Sequence, residues 1–447
     1  MNAVDELRRS LAGDVLVAAD PEYDLARRSF NAAIDRRPAL IARCRGAADV
    51  ATAFGFARAN GLEVAVRGGG HNPAGHCVLD GGLVIDLSLM RTVDVEPDAR
   101  IARSEGGATW LDFDTAVQAH GLVTPGGVVV TTGVGGLTLG GGLGHLTAQH
   151  GLTCDHLVGA EVVTPDGTVV EASEDENAEL LWGLRGGGGN FGVATRLDFR
   201  LHSLDRVVGG ALLVRGGTEV REAVRRYRDL VAGAPRDLSC QVVLATDESV
   251  TPVVMVLPCY TGTNGGGPIG QLRSLDGVVE DALREHSFLD QQRVIDSPYG
   301  ENRHYWKGHF VRELPDELID ELVDRLTALG RPPGGVLIES IHGAPKDADP
   351  ALGVVAFRNA AFNVSALGIW QDPARDAEHI GWTRGTASAL EPWSATGGGY
   401  VNYMQADEPI ERVRAAFGEE AFARLRALKQ QYDPENVLRR NQNVPPG

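Results

Sequence analysis

Over its first 200 residues the chain alternates short apolar strands with amphipathic helices, and glycine closes many of these elements. EVAVR at 63–67 is a run that predicts a buried strand, and it delivers its end into Gly68, Gly69, Gly70 and His71. The preceding VATAFGFARAN predicts a helix over 50–60, with Asp49 as its N-terminal cap and Gly61 in the usual C-terminal glycine position. LVIDL at 83–87 is a further strand, and ATWLDFDTAVQAHG at 108–121 a further helix closed by glycine. At 193–201, Val193, Thr195, Leu197, Phe199 and Leu201 share one face, opposite Ala194 and three charged residues, which is the pattern of a half-exposed strand.

From about residue 205 to 397 the elements lengthen. QVVLAT, TPVVMVLPCY and, at 360–370, AAFNVSALGIW predict strands. ELIDELVDRLTALG predicts an amphipathic helix over 317–330 that stops at Gly330 before two prolines. Glycine thins out here except in TGTNGGGPIG at 261–270. Beyond 397, YVNYM reads as a strand, followed by a helix in EEAFARLRALKQQY with Phe422, Leu425 and Leu428 on one stripe. No repeat at solenoid or propeller spacing is visible.

Composition narrows the function classes. The 447 residues are 43% hydrophobic and 23% charged, as in an ordinary globular protein, and the length favours two or three domains. A net charge of −18 argues against a nucleic-acid partner or an anionic membrane surface, both of which attract basic faces. No apolar run is long enough for a membrane span, and the N-terminus lacks a signal-like apolar core, so the expected location is the cytoplasm. The five cysteines (Cys44, Cys77, Cys154, Cys240 and Cys259) form no CxxC pair and read as reduced, buried thiols; no Cys/His run has metal-ligand spacing.

The unusual count is glycine, 57 residues, gathered into RGGGH at 67–71, GVGGLTLGGGLG at 133–144 and RGGGGNFG at 185–192. Glycine lets the backbone approach a ligand closely and turn its amides toward phosphate oxygens, so three clusters beside strands point to a dinucleotide cofactor. Gly187, Gly189 and Gly192 formally match GxGxxG, yet the following residues alternate as a strand, where a Rossmann site needs a helix. No GK[ST] follows any cluster, which removes the Walker motif. His71, directly after a glycine loop, is open to three readings: turn residue, metal ligand or reactive imidazole.

Five segments in register resolve that choice: VRGGGHNPAG, TTGVGGLTLGGGLGHL, HGLTCDHLVGAEVVTPDG, LLWGLRGGGGNFGV and LKQQYDPENVLRRNQNVPP. Together they closely resemble the berberine-bridge-enzyme-like family of FAD-linked oxidases, and its bacterial 6-hydroxy-D-nicotine-oxidase-like branch above all. The resemblance implies an α+β chain of the vanillyl-alcohol-oxidase (PCMH) type. Its FAD-binding domain would have two α+β lobes, contributed by residues 1–204 and completed by 398–447. A substrate domain with an antiparallel sheet and helices would occupy 205–397.

The resemblance also assigns roles. His71 falls on the position that attaches to the 8α-methyl group of FAD. Arg67, Gly68, Gly69, Gly70 and Asn72 would wrap the pyrophosphate. Thr132, Gly133, Gly136, Leu137, Gly141 and Gly142 would run past the flavin ring and ribityl chain. Gly189, Asn190 and Gly192 would form a further contact loop, and Asn441, Gln442 and Asn443 would close the site. Many members carry a second tether, a cysteine, where this chain has Val129, and Cys154 does not match that position. A single link through His71 is therefore expected.

For chemistry the family pattern implies hydride transfer from a C–H bond to the flavin, proton removal by a nearby base, and reoxidation by O2 to hydrogen peroxide. Tyr400 and Tyr403 match a tyrosine-rich strand; alternation sends them to opposite faces, and Tyr403 is the favoured base, with a packed aromatic as the alternative. A phenol near pKa 10 would need a neighbouring positive charge to serve. Ser365 stands where plant members carry an acid or amide, with Asn363 beside it on the same face. Tyr305 and Lys307, in HYWKGHF at 304–310, are candidate substrate contacts, with a structural role as the alternative, and His145 and His150 read as supporting or surface residues. The expected substrate is a small alcohol, amine or sugar-like molecule, and the chain a monomer or homodimer. A flavin-dependent oxygenase or dehydrogenase, or a flavin-binding protein without turnover, are the alternatives.

Overall fold

The computed structural model describes residues 3–262, 267–295, 299–327 and 334–447. Its first sheet holds β1 (Asp14–Leu16), β2 (Leu40–Arg43), β3 (Val64–Arg67) and β4 (Leu83–Asp86) in the order β1-β2-β4-β3. β4 pairs in parallel with both β2 and β3, which buries Leu83, Val84 and Ile85 on both faces and explains the unbroken apolar run. The helix α1 (Ala47–Ala59) begins earlier than its sequence pattern implies. Gly46 is its N-cap, and Asp49 lies inside its first turn. The Asp49 carboxylate instead accepts the amides of Ala12, Gly13 and Arg45 at 2.9–3.0 Å, pinning the N-terminal segment to the helix.

A second, antiparallel sheet runs β5 (Val93–Glu96), β6 (Ile101–Glu105), β9 (Val193–Arg200), β7 (Leu157–Val163), β8 (Val169–Ser173). The strand expected after the third glycine cluster is its central member, so the GxGxxG match opens no helix. The helix α2 (Trp110–Gln118) starts at a capping box in which Thr109 and Asp112 satisfy each other's backbone amides, and α3 (Ala178–Leu184) runs into the third glycine cluster.

The third sheet has nine antiparallel strands. Its main path is β14 (Val278–Asp281), β11 (Leu212–Arg215), β13 (Pro252–Tyr260), β12 (Leu238–Thr246), β17 (Gly334–Ser340), β18 (Phe362–Trp370) and β16 (Arg303–Val311). β10 (Arg206–Gly209) pairs with β13 and with β15 (Arg284–Ser287). One face carries Val242, Val256, Ile338, Val364 and Ala366 and packs on α4 (Gly217–Ala232), α5 (Asp316–Thr327) and Trp382 of α6 (Asp376–Ala389). The register aligns Gln241 with Glu339, Glu339 with Asn363, and Asn363 with Phe310 on the opposite face. One side of this sheet is thus core, and the other carries a polar row. The expected end of α5 at Gly330, and Gly265 and Gly266 of the 261–270 loop, lie outside the described residues.

YVNYM is not a strand. Residues 401–403 form a turn in which the Tyr403 amide donates to the Tyr400 carbonyl at 2.9 Å. The helix after it, α7 (Glu419–Tyr432), buries the expected stripe of Phe422, Leu425 and Leu428. All five cysteines are free and buried. Among the described residues no helix is long and apolar enough to cross a membrane.

Candidate cofactor and active site

The first two glycine clusters touch. A side chain at Gly69 would meet the backbone of Gly133 at 2.5 Å, and one at Gly133 would meet Gly69, so only glycine fits either position. Gly70 holds φ +67°, the left-handed turn that swings the chain from β3 into His71. These contacts form one wall of a large cavity whose empty space, its open mouth included, is about 1710 Å³. Gly189 and Gly192 of the third cluster complete the wall with the C-terminal residues Arg440, Asn441 and Gln442.

Many of the residues singled out in the sequence lie together on this wall. Gly68, Gly69, Gly70, His71, Asn72, Val129, Thr132, Gly133, Gly136, Leu137, Gly189, Gly192 and Asn441 all face the cavity. At Gly136 and Gly189 a Cβ would project into open space, so their absent side chains leave room for a ligand and not for a protein neighbour. Nε2 of His71, Nε2 of His76, Nε of Arg440 and Oδ1 of Asn441 are buried without hydrogen-bond partners at this wall. A long, partly apolar ligand with phosphates and hydrogen-bonding groups fits that combination.

Five expected contacts lie behind the wall. Arg67 turns its guanidinium to the Ala26 carbonyl and, at 3.3 Å, to the Tyr299 hydroxyl. Asn190 is fully buried: it donates to the Gly187 carbonyl at 2.8 Å and accepts the Val444 amide at 3.1 Å, locking the third cluster to the C-terminus. Gly141 and Gly142 bend the chain, and the Gly142 and Leu143 amides donate to the Tyr400 hydroxyl at 3.0 and 3.2 Å. Asn443 likewise stands outside the wall. Arg440 and His76, which carried no sequence signal, line it instead.

His71 is neutral. Burial, and then the neighbouring His304, push its pKa down to about 3. Val129 also lines the cavity. Cys154 is fully buried elsewhere, among Leu143, Phe357 and Tyr400.

At the other end the cavity meets the nine-stranded sheet. The turn at 401–403 brings both tyrosines to one wall, their rings 4.8 Å apart, contrary to the opposite faces a strand would give. Tyr400 spends its hydroxyl on Gly142, Leu143 and the Asn402 side chain, which makes it a structural strut. Tyr403 makes no side-chain hydrogen bond to a described residue; its ring stands edge-on to Trp306 at 5.4 Å. Burial first, then Glu339 and Tyr400, raise its pKa well above 10, the reverse of the lowering a tyrosine base requires.

Glu339 is the acid the sequence reading missed. It accepts from Asn363 Nδ2 at 2.7 Å, and burial raises its pKa to about 7. Ser365 donates to Asn363 Oδ1 at 3.4 Å, so both predicted β18 residues act behind the carboxylate. The signal was present: an acid within the apolar VLIES run is costly unless it has a task. A small recess sharing Leu143 with the main cavity is lined by Glu339, Gln241, Ser239 and a buried His145. His150 is half-buried, stacked on His202 at 3.9 Å. Tyr305 and Lys307 point away from Trp306 by alternation and bond Asp407 at 2.8 Å and Glu408 at 2.5 Å. They hold the C-terminal segment and do not line the cavity.

Comparison with known proteins agrees with this geometry. Residues 38–173 match the model of the FAD binding domain, and residues 399–445 that of the berberine and berberine-like domain. The chain is 31% identical to (R)-6-hydroxynicotine oxidase of Paenarthrobacter nicotinovorans, over 98% of this chain and 97% of that protein. It is 27% identical to glucooligosaccharide oxidase of Sarocladium strictum, over 96% and 93%. The solved structure of 6-hydroxy-D-nicotine oxidase from Arthrobacter nicotinovorans superposes with a TM-score of 0.90 at 31% identity, covering 98% of this chain and 99% of that one.

Proposed function

The chain belongs to the berberine and berberine-like FAD-linked oxidoreductases, and on that premise we propose that it is an oxidase of a small alcohol, amine or sugar-like molecule, carrying FAD on a single covalent link to His71. FAD, when bound, accepts the hydride and passes the electrons to O2, giving hydrogen peroxide. The glycine walls hold the cofactor by backbone approach, with Arg440 as the cation lining the cavity against its phosphates. The neutral His71 imidazole supplies the lone pair for the link, and Val129 supports a link of one residue only. The division into 1–204, 205–397 and 398–447 is part of the same reading. Its support is that the four- and five-stranded sheets lie within 14–200 and the nine-stranded sheet within 206–370.

The observation that carries the chemistry is the pairing of Tyr403, with a free hydroxyl on the cavity wall, and Glu339, coupled to it electrostatically. Tyr403 stays protonated and hydrogen-bonds the substrate hydroxyl or amine. Glu339, titrating near neutrality, takes the proton that leaves as the C–H bond is broken. Asn363 orients the carboxylate.

Two measurements test this reading. An acid-denatured, unstained gel under ultraviolet light, with the intact mass, should give fluorescence and one FAD mass in wild type and neither in His71→Ala. Yellow protein that releases its flavin would remove the tether and keep the oxidase. A panel of alcohols, amines and oligosaccharides, assayed for flavin bleaching and peroxide, should yield one H2O2 per product; bleaching without peroxide would make the enzyme a dehydrogenase.

A further inference from the structure

We propose that Phe30 and His304 form an aromatic clamp that fixes the His71 imidazole for attachment to the flavin, an inference that rests on the tether proposed above. The Phe30 ring lies between two imidazoles, its centroid 3.8 Å from that of His71 at 19° and 4.2 Å from that of His304 at 22°. Trp306 stands edge-on to Phe30 and His304 at 5.9 and 5.4 Å. Tyr299 stands edge-on to Phe30 from another side at 6.2 Å.

Hydrogen bonds to other side chains do not orient this stack. Nε2 of His71, both ring nitrogens of His304 and Nε1 of Trp306 are buried without partners. A reactive imidazole is ordinarily aimed by a carboxylate or carbonyl on its second nitrogen. No acid contributes to the electrostatics of His71, whose charged neighbour in that sense is His304 alone. Beyond a hydrogen bond to its own backbone, packing against Phe30 is what sets the plane of the ring.

Phe30 is itself held by backbone. Its amide donates to the Gly70 carbonyl at 3.0 Å, and its carbonyl accepts the Gly300 amide at 3.1 Å. The next residue, Asn31, accepts the His304 amide at 2.8 Å and donates to the His304 carbonyl at 2.8 Å and the Pro73 carbonyl at 2.6 Å. One short segment therefore ties the glycine loop, on which His71 sits, to the strand that carries His304 and Trp306. Phe30 and His304 are both absent from the cavity wall, so they act through His71 and not on the cofactor directly.

In the attachment a bond forms between an imidazole nitrogen of His71 and the 8α carbon. An 8α C–H bond and the imidazole N–H bond break. The two hydrogens and two electrons reduce the flavin and pass to O2, giving hydrogen peroxide. Such a bond requires the imidazole lone pair to point at one carbon, and a ring free to turn meets that geometry only part of the time.

The test uses purified wild type, Phe30→Leu, His304→Leu and Phe30→Tyr incubated with FAD in air. Total flavin per chain is read by absorbance and the covalent share by intact mass after acid denaturation. Wild type and Phe30→Tyr should become fully tethered. Phe30→Leu and His304→Leu should bind FAD in full but attach it about tenfold more slowly, the scale of a lost aromatic pair. If Phe30→Leu fails to fold, His304→Leu, which keeps Phe30 in place, decides. Leucine variants that tether as fast as wild type would overturn the clamp and leave the tether standing. A wild type without covalent flavin would overturn both.

Discussion

Glu339 concentrates the residue-scale argument. A carboxyl raised to about 7 is protonated below that pH and cannot accept a second proton. The rate of flavin reduction should therefore rise with pH through about 7 and level off above it. In Glu339→Gln that limb should disappear and the rate fall by about 10²–10³, within the range of a lost general base; stopped-flow reduction under anaerobic conditions reads both. Asp114 offers a contrasting case away from the cofactor cavity. Burial raises its pKa to about 7, and Gln292 donates to it at 2.6 Å. Its folded pKa exceeds the unfolded one, so its contribution is fully present below about pH 4 and is lost as pH rises through 7. Urea denaturation of Asp114→Asn should show a flatter pH dependence between those limits than wild type.

At the scale of elements, α7 is held to the third glycine cluster by a charge the apolar stripe did not announce. Lys429 is completely buried and donates to Asp433 at 2.6 Å, to the Asn190 carbonyl at 2.8 Å and to the Leu438 carbonyl at 2.9 Å. Removing one member of a buried pair leaves the other uncompensated. Lys429→Met should lose about 3–5 kcal/mol in urea denaturation. By contrast, half-buried Arg221, Arg225 and Arg228 of α4 face the exposed carboxylates of Asp316, Asp320 and Asp324 of α5 in a surface ladder. Surface pairs contribute little each, so Arg225→Ala should cost less than about 1 kcal/mol, and less still in high salt.

For the whole molecule, the cavity is walled by residues of the four-, five- and nine-stranded sheets: β3, β9 and β16 each contribute to it. A cofactor filling it binds the folded arrangement and not the unfolded chain. In His71→Ala, where the cofactor is exchangeable, FAD at one hundred times its Kd should stabilise the protein by about 2.7 kcal/mol. A thermal melt of that variant that does not move with added FAD would count against the cavity as the cofactor site.

The sequence by itself determined the elements and the cofactor. Period-two and helical patterns report local burial, so most elements were legible from neighbours along the chain; the glycine clusters pointed to a dinucleotide cofactor, and the resemblance of five segments to the FAD-linked oxidases is what implied FAD and the α+β class. The tertiary structure decided what depends on residues far apart. It turned YVNYM into a bend, because the Tyr400 hydroxyl is claimed by the amides of Gly142 and Leu143 more than 250 residues earlier. It set Arg67 and Lys307 away from the cavity, because partners at Ala26 and Glu408 satisfy them. It also brought Glu339 to Tyr403 and Phe30 between His71 and His304, pairings that strand register and long-range hydrogen bonds impose and that no local pattern records.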